Sequence, residues 1–171
     1  LASYPDNPAI DFLGHKLTYR QLDELVRRAA CGFQQLGVGP GVHVGLYLPN
    51  TPHYVIAFMG VLRAGGTVVN YSPLDAERTL AHKIEDGETA LMVTLDLASL
   101  YPKMAGLCGN SRLQTLVVGQ FTEFCPDASP EQAGLLGPST DVVFDERCRS
   151  FASLLDNDGD FIAYPLDDAA D

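Results

Sequence analysis

The sequence has no apolar run long enough to cross a bilayer, no paired-cysteine motif, and half as many basic as acidic residues. Its longest apolar stretch, Val55 to Leu62, falls far short of the roughly 20 residues of a membrane-spanning helix. Its first residues show no basic segment leading into an apolar one, as a secretion signal would. The four cysteines, Cys31, Cys108, Cys125 and Cys148, are scattered without a CxxC, and a chain of this length does not need them as staples. They read as reduced thiols of a cytoplasmic protein, with peripheral membrane association left open. Eleven Lys and Arg against twenty-two Asp and Glu give a formal charge of −11, which repels phosphate backbones and argues against a nucleic-acid partner.

Metal and nucleotide motifs are equally scarce. His15, His43, His53 and His82 lack HExxH or cysteine partners at ligand spacing, so each reads as a surface or turn histidine. Asp156, Asp158 and Asp160 alternate like the start of a calcium loop. Gly159 misses the turn position, however, and Asp167 stands where a bidentate Glu belongs, which favours a solvated acidic linker. Gly37, Gly39 and Gly41 imitate a dinucleotide fingerprint, but they follow a helix and precede a strand, the reverse of what phosphate binding needs. They read as a helix stop and turn.

What is present is a patterned chain with 46% hydrophobic residues, enough to bury one domain's core. Ala9–Phe12 and Lys16–Thr18 flank Gly14-His15 as a small hairpin. Thr18 and Gln21 form a capping box, with Leu17 and Leu22 at staple positions. Leu22, Leu25, Val26, Ala29, Ala30, Phe33 and Leu36 make an apolar helical stripe. Val42–Leu48 reads as an interior strand. Thr51-Pro52 opens a helix that is apolar nearly all round and stops at Gly65-Gly66. Thr67–Asn70 predicts a strand, Asp75 caps a helix to Asp86-Gly87, Ala90–Thr94 is a strand, Asp96–Leu107 is helical around Pro102, and Leu113–Val118 is a strand. Residues 119–145 form an irregular excursion, Asp145–Leu155 a short helix, and 156–171 an acidic lead-in. Alternation at short linker lengths implies a doubly wound, mainly parallel α/β sheet flanked by helices, with 1–171 as one unit. The loop Tyr71-Ser72-Pro73-Leu74 leaves the carboxyl end of a strand, where such sheets bind ligands. A plain strand-to-helix connection is the competing reading.

Tyr4-Pro5-Asp6-Asn7-Pro8-Ala9-Ile10, Leu17-Thr18-Tyr19-Arg20-Gln21-Leu22, Leu36 to Gly41, Pro49-Asn50-Thr51-Pro52 and Val61 to Asn70 with Ser72-Pro73-Leu74, in that order, resemble the opening of the adenylate-forming superfamily. The likeness is clear from about Ser3 to Val118, and its flavour is nearest to long-chain fatty acyl-CoA ligases. Adenylation domains of peptide synthetases are the runner-up, and a non-catalytic interaction module that kept only the scaffold is the alternative outside enzymes.

The resemblance implies a parent enzyme that uses ATP, Mg²⁺ and coenzyme A to turn a carboxylate, a fatty acid by the nearest flavour, into acyl-AMP and then acyl-CoA. It places Ser72, Pro73 and Leu74 near the edge where coenzyme A approaches, and all catalytic residues downstream of Asp171. No Ser/Thr/Gly-rich loop ending in Pro-Lys-Gly occurs in the 171 residues. The chain is therefore expected to stop short of that loop, to be inactive alone, and to expose an apolar face that favours a homodimer.

Overall fold

The computed structural model describes residues 4–164. Two strands, β1 (Pro8–Phe12) and β2 (His15–Thr18), form an antiparallel hairpin ahead of the main body. Phe12 pairs with His15, so the turn is Leu13-Gly14, one residue earlier than the sequence pattern suggests. Both turn residues lie at positive φ, 51° and 86°, as a two-residue primed turn requires.

Helix α1 (Tyr19–Gln35) starts where the capping box predicts. The Thr18 hydroxyl accepts from the Gln21 amide, and the Gln21 side chain accepts from the Thr18 amide. Its stripe buries Val26, Ala29, Ala30 and Phe33 against α2 (Pro52–Arg63) and α6 (Phe151–Leu154). Gly37 and Gly41 at positive φ end the helix and turn the chain, as the helix-stop reading requires. Strand β3 (His43–Leu46) follows, then α2, β4 (Thr67–Asn70), α3 (Glu77–Asp86), β5 (Leu91–Leu95), α4 (Tyr101–Leu107), β6 (Thr115–Gly119), α5 (Pro130–Ala133), β7 (Cys148–Ser150) and α6.

The main sheet has five parallel strands in the order β4-β3-β5-β6-β7. β3 lies inside the sheet, as its continuous apolar character predicts, and β5 is buried along its whole length. The chain crosses one way through α2 and back through α3. Right-handed crossovers place these two helices on opposite faces, which is the doubly wound α/β arrangement.

Five local expectations are corrected. Asp75 does not cap α3; Ala76 does, and Asp75 instead pairs with Lys83 at 2.6 Å. The helix expected from Asp96 begins only at Tyr101, with Pro102 in its first turn, where the missing amide costs nothing. Asp145–Leu155 is no single helix: Cys148–Ser150 joins β6 as an edge strand before the four-residue α6. Residues 119–145 are not wholly irregular, since they hold a 3-10 turn at Phe121–Phe124 and the short α5.

The fifth correction concerns the acidic segment after Leu155, which is not a solvated linker as far as Tyr164. Asn157 donates to the Arg28 carbonyl at 3.0 Å, Arg27 donates to the Gly159 carbonyl at 3.3 Å, and the Gln34 amide both donates to and accepts from the Ile162 backbone at 2.8 Å. The segment is a strap laid along α1. Residues 165–171 of the predicted lead-in lie outside the described residues.

Candidate functional site

Open parallel sheets bind ligands outside the carboxyl ends of their strands, at the point where strand order reverses. Here the order reverses between β3 and β5. Tyr47, the residue after β3, is fully buried. Its hydroxyl donates to the Pro73 carbonyl at 3.3 Å, and the Lys103 ammonium donates to the same hydroxyl at 3.4 Å. The chain leaving β3, the chain leaving β4 and the helix after β5 thus meet on one oxygen. Nothing in the local sequence links positions 47, 73 and 103, so their convergence was not legible there. Only strand order brings them together.

Ser72, Pro73 and Leu74 stand at the carboxyl end of the edge strand β4, beside this reversal point. The Ser72 hydroxyl accepts from the Leu74 amide at 3.2 Å, a local turn that leaves Leu74 95% exposed. Tyr71 anchors the loop from below: its buried hydroxyl lies 2.6 Å from the Thr89 hydroxyl and donates to the Lys83 carbonyl at 3.2 Å. Burial pushes the Tyr71 phenol up from its ordinary range, so it stays a neutral hydrogen-bonding group at physiological pH.

Two clefts continue along the same edge. One of about 350 Å³ opens between Asp96, Gly119, Gln120 and Thr140. Asp96 is held there by accepting the Phe121 amide at 2.9 Å. The other, about 800 Å³, lies farther out against β7 and is walled by Glu123, Asp145, Glu146 and Arg149.

Between the clefts and α2 sits a feature that the sequence reading placed on the surface. His53 is fully buried at the start of α2. Its Nε2 lies 3.1 Å from the Glu123 carboxylate, and its ring meets Phe124 and Phe151 edge-on at 4.7 and 5.0 Å. Its Nδ1 has no hydrogen-bond partner among the described residues. A lone histidine after Thr51-Pro52 carries no signal of this burial; its partner is 70 residues away.

The four thiols are unpaired, and burial pushes each of them up, which makes them poor nucleophiles at neutral pH. The described residues contain no group of three or more side chains suited to a metal ion. No described helix is long and apolar enough to cross a membrane.

With this geometry established, comparison with known proteins defines the class: the model of the AMP-binding enzyme family matches residues 1–159. The chain belongs to that family. It is 34% identical over 125 residues to a long-chain-fatty-acid–CoA ligase of Bacillus subtilis, covering 73% of this chain and 22% of the relative. It is 39% identical over 106 residues to an Escherichia coli O6:H1 protein of the same name, covering 61% and 19%. A syringomycin synthase of Pseudomonas syringae is 35% identical over 61% of this chain and 17% of its own length. Among solved structures, an anthranilate CoA ligase in complex with anthranoyl-AMP superposes with a TM-score of 0.64 at 21% identity, over 69% of this chain and 23% of its own. That likeness supports the fold alone. The chain spans about a fifth of the length of these curated relatives.

The carboxyl edge does not fit a nucleoside triphosphate with its metal. Asp96, Glu123, Asp145 and Glu146 face the clefts and would repel the phosphates. No strand-to-helix loop among the described residues carries the glycine-rich backbone cradle that triphosphates use. No catalytic step through ATP or Mg²⁺ is assigned to these residues.

Proposed function

We propose that this chain is the N-terminal part of an ATP-dependent carboxylate–CoA ligase acting on long-chain fatty acids. In that reaction the carboxylate attacks the α-phosphate of ATP, giving acyl-AMP and pyrophosphate, and the coenzyme A thiol then displaces AMP to leave acyl-CoA. The observation that carries this reading is the family match over residues 1–159 together with 34% identity to a long-chain-fatty-acid–CoA ligase over 73% of the chain. A peptide-synthetase-like adenylation domain is the second reading, favoured by the syringomycin synthase match.

On this account residues 1–171 supply scaffold. The family's phosphate loop, Mg²⁺ site and catalytic lysine belong to other parts of the polypeptide, and this α/β unit without them is inactive. Ser72, Pro73 and Leu74 form the edge along which coenzyme A passes: the exposed Leu74 offers apolar surface to its arm, and the Ser72 hydroxyl keeps its proton free to donate. The expected setting is cytoplasmic, with peripheral contact at a membrane where fatty acids partition. Self-association as a homodimer is expected through exposed apolar side chains such as Met59 and Leu62 on α2.

Two measurements test the reading. The gene is read through and beyond codon 171, where a Ser/Thr/Gly-rich loop ending in Pro-Lys-Gly is expected. The full polypeptide is then assayed for carboxylate-dependent ATP–pyrophosphate exchange. Exchange driven by long-chain fatty acids supports the ligase, and exchange driven only by amino acids supports the second reading. A full polypeptide lacking the loop and giving no exchange with either would point to the interaction module.

A further inference from the structure

We infer that residues 157–164 form a clasp that opens as one unit on the folded domain, with Tyr164 as its catch and the Cys31 thiol as the group it covers. The clasp rests on contacts within this chain and not on the ligase reading.

The strap grips α1 at two places. Asn157 and Gly159 are bonded to Arg28 and Arg27, and Ile162 is bonded through both its backbone groups to Gln34. Side chains three and four residues apart share one face of a helix, so Cys31, four after Arg27 and three before Gln34, lies on α1 between the two grips. It is 6% exposed. Burial first, and then the Asp158 and Asp160 carboxylates, push its thiol up, in keeping with the strap's acidic stretch lying beside the sulfur. The far end is fixed by shape. Gly65 and Gly39 leave a notch that the Tyr164 side chain occupies: a Cβ at Gly65 would meet the ring Cε2 at 2.9 Å, and one at Gly39 would lie 3.4 Å from the hydroxyl oxygen.

What lies between is weakly held. Phe161 packs on the core, but Ile162 is 66% exposed, and Asp158, Asp160 and Ala163 are exposed as well. A segment with few buried apolar contacts and solvent-exposed hydrogen bonds opens far more easily than the whole domain unfolds. Helix α1 keeps its capping box and its packing on α2 when the strap lifts. Opening therefore uncovers a strip of folded helix that carries a thiol. It also removes one wall, Phe161 and Tyr164, from a groove of about 750 Å³ whose other wall is Phe58, Met59 and Leu62 of α2. Access to Cys31 and the shape of that groove are thus set by one movement.

The experiment labels the full polypeptide with iodoacetamide and follows each cysteine by peptide mass spectrometry, in the natural protein and in Tyr164→Ala, Tyr164→Phe and Gln34→Ala. When the strap recloses faster than the thiol reacts, the labelling rate follows the open population. Tyr164 is 38% exposed, and losing its covered ring surface weakens the closed state about tenfold. Cys31 should therefore label about tenfold faster in Tyr164→Ala, and hydrogen exchange at the Ile162 amide should rise by the same factor. Gln34→Ala, which removes the grip on Ile162, should also speed Cys31 labelling. Tyr164→Phe keeps the ring and should stay within about twofold of the natural protein. Cys125, 2% exposed at the end of the 3-10 turn, reports global unfolding and should remain slow throughout. Cys31 labelling unchanged in either alanine variant, Tyr164→Phe as fast as Tyr164→Ala, or Cys31 and Cys125 speeding up together would overturn the clasp. None of these outcomes bears on thioester formation, so the clasp and the ligase reading stand or fall separately.

Discussion

Substituting Gly32 by alanine separates two opposing effects with opposite signs. Gly32 lies in the interior of α1, where alanine normally gains about 1 kcal/mol over glycine through helix propensity. A Cβ at this position would press onto the Leu154 carbonyl oxygen and approach the Leu154 Cγ and Cδ1 atoms at 2.9 Å. The oxygen is backbone and cannot rotate away, so α6 must move off α1. Overpacking of this kind costs typically 1–3 kcal/mol. Because the clash is with backbone, the cost lies in the upper part of that range, about 2–3 kcal/mol, so the net expectation is a loss of roughly 1–2 kcal/mol despite the better helix former, or about 2–8 °C in Tm for a domain of this size. Gly106 in α4 is the control, because a Cβ there meets nothing within 4 Å, and Gly106→Ala should hold or raise stability by up to about 1 kcal/mol. Urea unfolding of the three proteins followed by circular dichroism reads the difference. If Gly32→Ala matches or exceeds the natural protein, α6 does not seat on α1 as described.

His53→Ala should cost about 2–4 kcal/mol, because it opens a cavity between Phe124 and Phe151 and strips Glu123 of its partner; His53→Gln, which keeps a hydrogen-bonding group and most of the volume, should lose less, and equal losses in urea unfolding would show that the pair contributes nothing. Stability should also fall at alkaline pH. Burial raises Cys31, Cys108, Cys125 and Cys148, and Tyr71 and Tyr101 likewise. A group raised in the folded state holds its proton more tightly there than when unfolded, so its contribution is complete below the ordinary thiol range and is lost as pH climbs above about 8.5. Urea midpoints that rise between pH 8 and 10 would contradict this.

The elements that could be read from the chain are those whose signals are local. The Thr18–Gln21 box, the α1 stripe and the Gly65-Gly66 stop each sit within a few residues of the structure they specify, and the alternation of strands and helices was enough to imply the parallel sheet. What escaped depends on distant partners. Cys148-Arg149-Ser150 has neither length nor apolar alternation, and it is a strand only because β6 offers an edge. The segment after Leu155 looks solvated by composition. Asn157, Gly159 and Ile162, however, use one side-chain amide and three backbone groups to clasp α1, and charge counting does not register such contacts. His53 reads as a turn residue until the turn after β6 brings Glu123 to it. At the carboxyl edge, Ser72–Leu74 could be proposed from its place after a strand, whereas Tyr47 and Lys103 become neighbours only through the β4-β3-β5 order.

The central claim is that this α/β unit belongs to an enzyme that activates a carboxylate and passes it to coenzyme A. The most direct test incubates the full polypeptide with ATP, Mg²⁺, coenzyme A and a long-chain fatty acid and measures thioester formation by mass spectrometry, alongside AMP release. The account predicts acyl-CoA and AMP in equal amounts, both dependent on the fatty acid. AMP released without any thioester, or no turnover with any carboxylate, would contradict it.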